Sequence, residues 1–134
     1  MAKPFFLEII TPTAPSYTGE IIHVRAPGMD GDFGVLADHA PMMAGLRPGR
    51  VRIEAPAEAF DYVITGGFFE VHSNRAVILA EECLRREDVN LERALQARER
   101  ALQMLADART TDEQDEARAA LAKAVAIIQF AEKS

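Results

Sequence analysis

The chain has 134 residues, of which 49% are apolar and 27% charged, and its formal net charge is −6. Because nucleic acids and anionic lipids carry dense negative charge, an acidic chain is a poor candidate for binding either of them through a basic surface. No apolar run reaches the roughly 18–20 residues that span a bilayer, so no direct insertion into a membrane is expected.

The N-terminal part of the chain, residues 1–87, has the periodicity of β-structure. Its opening segment combines one lysine with a short apolar patch that Glu8 interrupts, which predicts a strand and not a signal peptide. Apolar and polar residues alternate over 20–27 and 49–55, as they do in half-buried strands. Further strands are predicted over 60–65, 68–72 and 75–81.

Turn residues separate these predicted strands. Ser73-Asn74 fits a two-residue hairpin turn. The segment 75–81 is apolar on both faces, which predicts a central strand. Phe68 and Phe69 are adjacent, so one should enter the core and the other should be exposed. Many short strands joined by Pro- and Gly-rich turns indicate a β-sandwich or a barrel.

The C-terminal part, residues 88–134, changes to a helical pattern, with no glycine or proline after Asn90. Asn90 is a suitable N-cap for a first helix. One face of that helix is predicted to carry four leucines: Leu91, Leu95, Leu102 and Leu105.

A break near residues 107–114 precedes a second predicted helix, where Thr111 and Gln114 have the spacing of a capping box. Its predicted seam is rich in alanine: Ala117, Leu121, Ala124, Ile128 and Ala131. The two helices should form an antiparallel hairpin, which is too small to be stable without docking on the sandwich or on a partner.

Residues 31–41, GDFGVLADHAP, form the most conspicuous predicted loop. Asp30 and Asp32 resemble the start of a calcium loop, but Pro41 stands where the bidentate glutamate belongs. His23, His39 and His72 lack the short spacings of metal ligands, so no metal site is expected. Asp30, Asp32 and Asp38 could together serve acid–base chemistry, although a solvated loop is the favoured interpretation.

Other catalytic patterns are missing from the sequence. There is no G-x-S-x-G nucleophile motif. Gly28, Gly31 and Gly34 match neither the dinucleotide fingerprint nor a P-loop. The single cysteine, Cys83, excludes an internal disulfide, fits a reducing cytoplasm and is interpreted as a packed thiol. What remains is a loop on a rigid sandwich and an amphipathic hairpin, and both are typical of interaction surfaces.

Two long segments, residues 19–53 and 63–94, resemble the epsilon subunit of F-type ATP synthases. The order and spacing of several short motifs carry the resemblance: Gly19, Pro27-Gly28, Gly31-Asp32-Phe33-Gly34, His39-Ala40-Pro41, Pro48-Gly49, Gly66-Gly67-Phe68, Glu70-Val71 and Arg93-Ala94. The resemblance implies a ten-stranded β-sandwich over residues 1–87 followed by a two-helix hairpin over residues 88–134.

The resemblance also implies a function. The chain would be a non-catalytic subunit of the central stalk, bound to the gamma subunit and to the membrane ring of c subunits, at the cytoplasmic face of the bacterial plasma membrane. The loop 28–41 would contact the ring, with Phe33, Val35 and Leu36 as its anchors in the sandwich. The expected interface residues are Asp30, Gly31, Asp32, Phe33, His39, Ala40 and Pro41.

The chain departs from the family pattern at the start of the hairpin. Some members bind ATP through an Ile/Leu-Asp-x-x-Arg-Ala motif, and here Asn90 replaces the aspartate. The candidate nucleotide contacts are Val89, Asn90, Arg93 and Ala94, but no cofactor is expected.

In some members a basic second helix inhibits ATP hydrolysis by contacting the catalytic β subunit. Here the acidic helix after Asp112 predicts weak inhibition or none. A nucleotide-sensing inhibitory subunit is the alternative function.

Overall fold

The computed structural model describes residues 2–133, which form ten strands followed by two helices. The strands are β1 (Phe5–Ile10), β2 (Pro15–Ile21), β3 (His23–Gly28), β4 (Gly31–Leu36), β5 (Met42–Leu46), β6 (Gly49–Glu54), β7 (Ala59–Ile64), β8 (Gly67–His72), β9 (Arg75–Ala80) and β10 (Cys83–Leu84). A 3-10 turn (Arg86–Asp88) leads into the helices α1 (Leu91–Asp107) and α2 (Thr111–Glu132). Within residues 2–133, no helix is both long and apolar enough to cross a membrane.

The strands form two packed layers joined at one corner. The first layer has the order β10-β7-β6-β3-β4 and the second has the order β5-β8-β9-β1-β2. Only Gly28 and Leu46 pair across the junction of β3 with β5. The pairing is antiparallel except between β1 and β9, which run parallel. The predicted sandwich followed by a helical hairpin is confirmed.

The core lies between the two layers. Phe33 on β4 meets Phe69 on β8 edge to face, with ring centroids 5.1 Å apart. At another point Tyr17 on β2 and Phe60 on β7 are 5.2 Å apart. Aromatic contacts of this kind join strands of different layers and pin their relative position.

Several predicted strands needed correction. The segment 20–27 is split by a bend at Ile22, so that it belongs to β2 and β3. Residues 31–36, predicted as loop, form β4, in which Phe33 and Val35 face inward. Gly31 and Gly34 interrupt the apolar–polar alternation, so the sequence did not indicate a strand here. The predicted hairpin turn at Ser73-Asn74 is confirmed, with φ of 50° and 60°.

The two helices start at capping side chains. The Asn90 side chain accepts a hydrogen bond from the Arg93 N–H, as predicted. For α2 the predicted capping box at Thr111 and Gln114 is wrong by one residue. Thr110 is the N-cap, and Glu113 closes the box. Thr110 has extended backbone angles, as an N-cap requires, whereas Thr111 is already helical.

The helices pack through small residues. The α2 seam is buried at Ala117, Ala124 and Ile128, as predicted. On α1 the buried residues are Ala94 and Ala101, and the predicted leucine face is largely exposed instead, with Leu91, Leu95 and Leu102 turned to solvent. Alanines on both helices allow a close approach, so the larger leucines point away from the seam.

The hairpin docks on the first layer. Helix α2 lies against β6 and β7, and α1 packs on α2. Val63 is fully buried although its neighbours Tyr62 and Ile64 face the core, so the alternation of the strand directs it toward α2. The last strand ends at Leu84 and α1 begins at Leu91. The domain boundary between residues 87 and 88 stays a prediction.

Candidate functional site

The tip of the β3–β4 hairpin is the most regular part of the candidate site. Gly28 pairs with Gly31, and Met29-Asp30 form the exposed turn between them. Gly31 has φ of +133°, which is outside the range that other residues adopt readily. A Cβ on Gly28 would lie 2.6 Å from the Gly31 carbonyl oxygen and 2.9 Å from the Phe33 ring. The tight tip therefore requires glycine at both ends.

Asp32, next to this tip, is held by two arginines. Its Oδ1 lies 2.5 Å from Nη2 of Arg47, and its Oδ2 lies 3.6 Å from Nε of Arg25. Arg47 also donates to the Gly28 carbonyl through Nη1. The arginine thus bridges the carboxylate and the backbone of the turn, so Asp32 braces the tip as well as presenting a charge.

The anchors of this hairpin differ from the predicted set. Val35 is fully buried, and Phe33 is half-buried against the Phe69 ring. Leu36, the third predicted anchor, is 57% exposed. Since β4 alternates, Leu36 shares the outer face with Asp32, and nothing on this face requires an apolar residue.

His39, Ala40 and Pro41 lie at the opposite end of β4. This strand starts at Gly31, beside Gly28, and ends at Leu36, beside His23. A strand of this length covers roughly 17 Å. The structure therefore does not bring the seven predicted ring-contact residues together. Asp30, Gly31, Asp32 and Phe33 form one group, and His39, Ala40 and Pro41 form another beyond the far end of the strand.

The same separation speaks against a joint acid–base site of Asp30, Asp32 and Asp38, the interpretation that the sequence disfavoured. Asp38 belongs to the far group, where its Oδ1 accepts from Lys3 at 2.9 Å and from the Asn74 amide at 2.9 Å. Hydrogen bonds from Asn74 and then from Lys3 lower the pKa of this exposed carboxyl. Asp38 is therefore a structural carboxylate remote from Asp30 and Asp32. Residues 2–133 contain no group of three or more potential metal ligands.

The sequence interpretation missed an exposed apolar surface on the second layer. We define the outer apolar face as Met29, Met43, Phe68 and Leu79. Phe68 opposes both Gly45 and Leu79 across the sheet, and Leu79 is 51% exposed. Gly45 would place a Cβ 3.1 Å from the Met29 side chain, so Met29 joins the same surface.

The prediction that segment 75–81 is a central strand is correct for its place in the sheet, but its outer face is not fully covered. It becomes β9, which lies between β8 and β1. On its outer face Leu79 is exposed and Val77 is half-buried. Apolar residues at the outer positions of this segment could have predicted the outer apolar face from the sequence. As expected, Phe69 enters the core and Phe68 does not.

The candidate nucleotide contacts lie at the start of α1. Val89 ends the 3-10 turn, Asn90 caps the helix, Arg93 is exposed and Ala94 is buried. An open groove of about 430 Å³ runs beside them. Two arginines, Arg93 and Arg100, and the acidic residues Glu82 and Asp88 line it, whereas α2 contributes Ile127.

Cys83 pairs with Ile64 in the two-residue strand β10. Burial raises the pKa of its thiol to about 11. A thiol with such a pKa stays protonated at neutral pH, so it is a poor nucleophile. The packed-thiol interpretation fits this environment.

Comparison with known proteins identifies relatives along the whole chain. Residues 4–86 match the family model described as "ATP synthase, Delta/Epsilon chain, beta-sandwich domain". The ATP synthase epsilon chain of Desulforamulus reducens is 38% identical over 132 residues, which cover 98% of this chain and 100% of the relative. That of Nitratidesulfovibrio vulgaris is 37% identical over 126 residues, 94% of each chain.

Solved structures share the fold at lower sequence identity. A chain of the mitochondrial ATP synthase of Euglena gracilis superposes with a TM-score of 0.79 and 21% identity, over 92% of this chain and 79% of that one. A chain of the central stalk and c-ring assembly of the Tetrahymena thermophila mitochondrial enzyme gives a TM-score of 0.73 and 16% identity, over 97% of this chain and 98% of that one.

Proposed function

Because the chain belongs to the family of ATP synthase epsilon chains, we propose that it is a non-catalytic rotor subunit of the central stalk. It would link the gamma subunit to the membrane ring of c subunits and couple proton translocation to ATP synthesis. As a peripheral part of the complex it would lie at the cytoplasmic face of the bacterial plasma membrane. No cofactor is required for this role.

The single observation that best supports the proposal is the braced tip of the β3–β4 hairpin. A contact that transmits torque must resist bending, and this tip is held by Arg47, by the tight turn at Gly28 and by the core contact of Phe33. We assign the ring contact to Met29–Phe33, where Asp30 and Asp32 would meet polar or basic groups. His39, Ala40 and Pro41 lie too far along β4 to share a compact contact.

The outer apolar face is the proposed docking surface for the gamma subunit. Four large apolar side chains are accessible there: Met43, Phe68 and Leu79 on the second layer and Met29 from the adjoining β3–β4 turn. Exposed apolar surface concentrated in one place is typical of protein interfaces. Because Met29 also belongs to the hairpin tip, the two proposed interfaces adjoin, as a link between a stalk and a ring requires.

The alternative function, a nucleotide-sensing inhibitor, draws support from the groove beside Arg93 and Arg100. Two features speak against strong nucleotide binding. The Asn90 side chain is used as a helix cap, and α2 contributes an isoleucine to the groove where phosphates would need a cation. The acidic start of α2 likewise disfavours docking on an acidic part of the catalytic β subunit.

The test uses membranes that lack this subunit. They are reconstituted with the full chain or with a chain stopped after Glu87, and ATP hydrolysis and ATP-driven proton pumping are recorded together. We expect both chains to restore pumping at similar hydrolysis rates. A sharp rise in hydrolysis with the shortened chain would favour the inhibitory alternative. Failure of the full chain to restore pumping would contradict the rotor role.

A further inference from the structure

Five arginines cluster around two aspartates on the first layer and beside it. Asp32 is engaged by Arg47 and Arg25, and Asp61 by Arg50 at 3.2 Å and by Arg86. The fifth arginine, Arg52, lies directly opposite Asp61 in the pairing of β6 with β7, but Asp61 is already shared by the other two. Within residues 2–133, Arg52 therefore has no ion-pair partner. In a chain with a net charge of −6, this local excess of positive charge is against the trend.

The placement of Arg25 and Arg52 is unfavourable for the isolated fold. They are directly opposite each other on β3 and β6. Like charges at directly opposed positions of a sheet are destabilising, because their Cβ atoms are only about 5 Å apart. A negatively charged occupant would remove this repulsion.

These side chains are at least partly accessible, with Arg52 half-buried. Those of Arg25, Arg47 and Arg50 are 58%, 43% and 40% exposed. Arg50 and Arg52 stand on the same face of β6, two residues apart, which separates them by roughly 7 Å. Alternate side chains of an extended segment have the same spacing. Each guanidinium can bind a carboxylate through two parallel hydrogen bonds.

We propose that this arginine surface, defined as Arg25, Arg47, Arg50 and Arg52, docks an extended segment of a partner protein with acidic residues at alternate positions. The surface lies on the first layer, beside the C-terminal end of α2, which docks on the same face, whereas the outer apolar face lies mainly on the second layer. The proposal therefore goes beyond the rotor role, and it can be wrong while the rotor role remains correct. A nucleotide is the less suitable occupant, because Arg25 and Arg47 converge only where Asp32 already occupies them, and Arg50 and Arg52 lie further along β6.

The experiment uses the purified full chain and a fluorescent peptide of about ten residues in which aspartate and serine alternate, spanning roughly 30 Å. A peptide with asparagine in place of aspartate is the matched control. We expect saturable binding of the acidic peptide by anisotropy, weakened by added salt, and no binding of the asparagine peptide. Equal binding of both peptides, or of neither, would overturn the proposal.

Three variants locate the binding. The pair R25Q/R52Q should weaken the acidic peptide about tenfold, whereas R109Q/R118Q on the exposed hairpin should change its affinity less than twofold. Asp32→Asn frees Arg25 and Arg47 from their internal partner, so it should strengthen binding severalfold. Equal losses in both arginine pairs would show non-specific attraction and contradict the proposal.

Two further readouts separate folding and phosphate binding from docking. R25Q/R52Q should not lower the melting temperature, because it removes a repulsion between like charges. If it does lower the melting temperature, the increase in peptide affinity expected of Asp32→Asn still tests the proposal. ATP is added as a competitor. If ATP displaces the peptide at lower concentrations than unlabelled peptide does, the surface is a phosphate site and the proposal is wrong.

Discussion

Arg86 and Asp61 form a two-point ion pair that joins the hairpin region to the sandwich. Nη2 of Arg86 lies 3.1 Å from Oδ2 of Asp61, whose side chain is only 10% exposed, and Nη1 donates to Oδ1. The same guanidinium lies 4.1 Å from the centroid of the Phe130 ring, and its Nε is 3.0 Å from the Phe130 carbonyl oxygen. One side chain therefore connects β7, the 3-10 turn and the end of α2.

Replacing Arg86 with alanine should loosen the hairpin. It leaves Asp61 largely buried with Arg50 as its remaining ion-pair partner, and loss of a charged, partly buried contact costs about 2 kcal/mol. We expect faster hydrogen exchange of the α2 amides, with the sandwich amides unchanged. Arg98→Ala on α1 is the control, since its ion pair is with its exposed neighbour Glu99 at 3.8 Å. Unaltered α2 exchange would mean that the apolar contacts alone hold the hairpin.

Asp32→Arg should weaken binding to the purified c-ring. The change reverses the charge at the hairpin tip and places a third arginine beside Arg47 and Arg25, so we expect at least about a tenfold loss of affinity. Asp38→Asn is the matched control at the other end of β4, and it should bind the ring as the unchanged chain does. If Asp32→Arg bound normally and Asp38→Asn did not, the contact would belong to the His39 end.

Leu79→Glu tests the outer apolar face. The side chain is half exposed, so the substitution should leave the melting temperature nearly unchanged while reducing affinity for the purified gamma subunit about tenfold. Leu36→Glu is the control, because Leu36 is equally exposed but lies on the first layer. Comparable losses in the two variants would argue against a specific gamma interface on the second layer.

Cys83 should react slowly with alkylating agents. Burial raises its thiol pKa to about 11, from an ordinary value of 9.0. At pH 8 the thiolate fraction is therefore roughly 100-fold smaller in the folded chain than in the unfolded chain, and alkylation should slow by at least that factor. The comparison is made with and without urea. Similar rates in both conditions would show that the thiol is not protected.

The raised pKa of Cys83 also has a consequence for stability. Below pH 9 the thiol is protonated in both the folded and the unfolded chain, so it does not affect the free energy of unfolding. Between pH 9 and 11 only the unfolded chain ionises, and stability should fall with rising pH. Cys83→Ala should remove this part of the pH dependence, as measured by urea unfolding at pH 8 and 10.

The capping box is tested by two adjacent threonines. Thr110→Ala removes the hydroxyl that accepts from the Glu113 N–H at 3.1 Å, and should cost about 1 kcal/mol of stability. Thr111→Ala changes an exposed residue in the first turn of α2 and should have little effect, measured by thermal unfolding. A larger loss of stability for Thr111→Ala than for Thr110→Ala would instead support the capping box predicted at Thr111 and Gln114.

The helical hairpin shows which features of the fold can be predicted. The N-cap at Asn90 and the alanine seam of α2 follow from local chemistry and spacing, and both are confirmed. The pattern also places four leucines on one face of α1, but in the structure that face is largely exposed and Ala94 and Ala101 pack instead. Periodicity identifies faces of a helix, and it does not say which face meets a partner, because a small-residue face packs more closely than a leucine face.

The candidate site shows a different limit. Asp30, Asp32, His39 and Pro41 lie within a few residues in sequence, so they were expected to form one region. A strand between them separates the two groups by roughly 17 Å. Conversely, Asp61 and Arg86 are 25 positions apart and meet directly.

The sequence by itself determined the class of fold, the change from strands to helices, the turn at Ser73-Asn74 and the resemblance to the epsilon family, since these depend on local periods, turn chemistry and ordered motifs. Only the tertiary structure decided that Phe68 and Leu79 share an accessible face and that Arg25 opposes Arg52. These relationships depend on how strands from distant parts of the chain pair, and that pairing is set by the burial of the whole core.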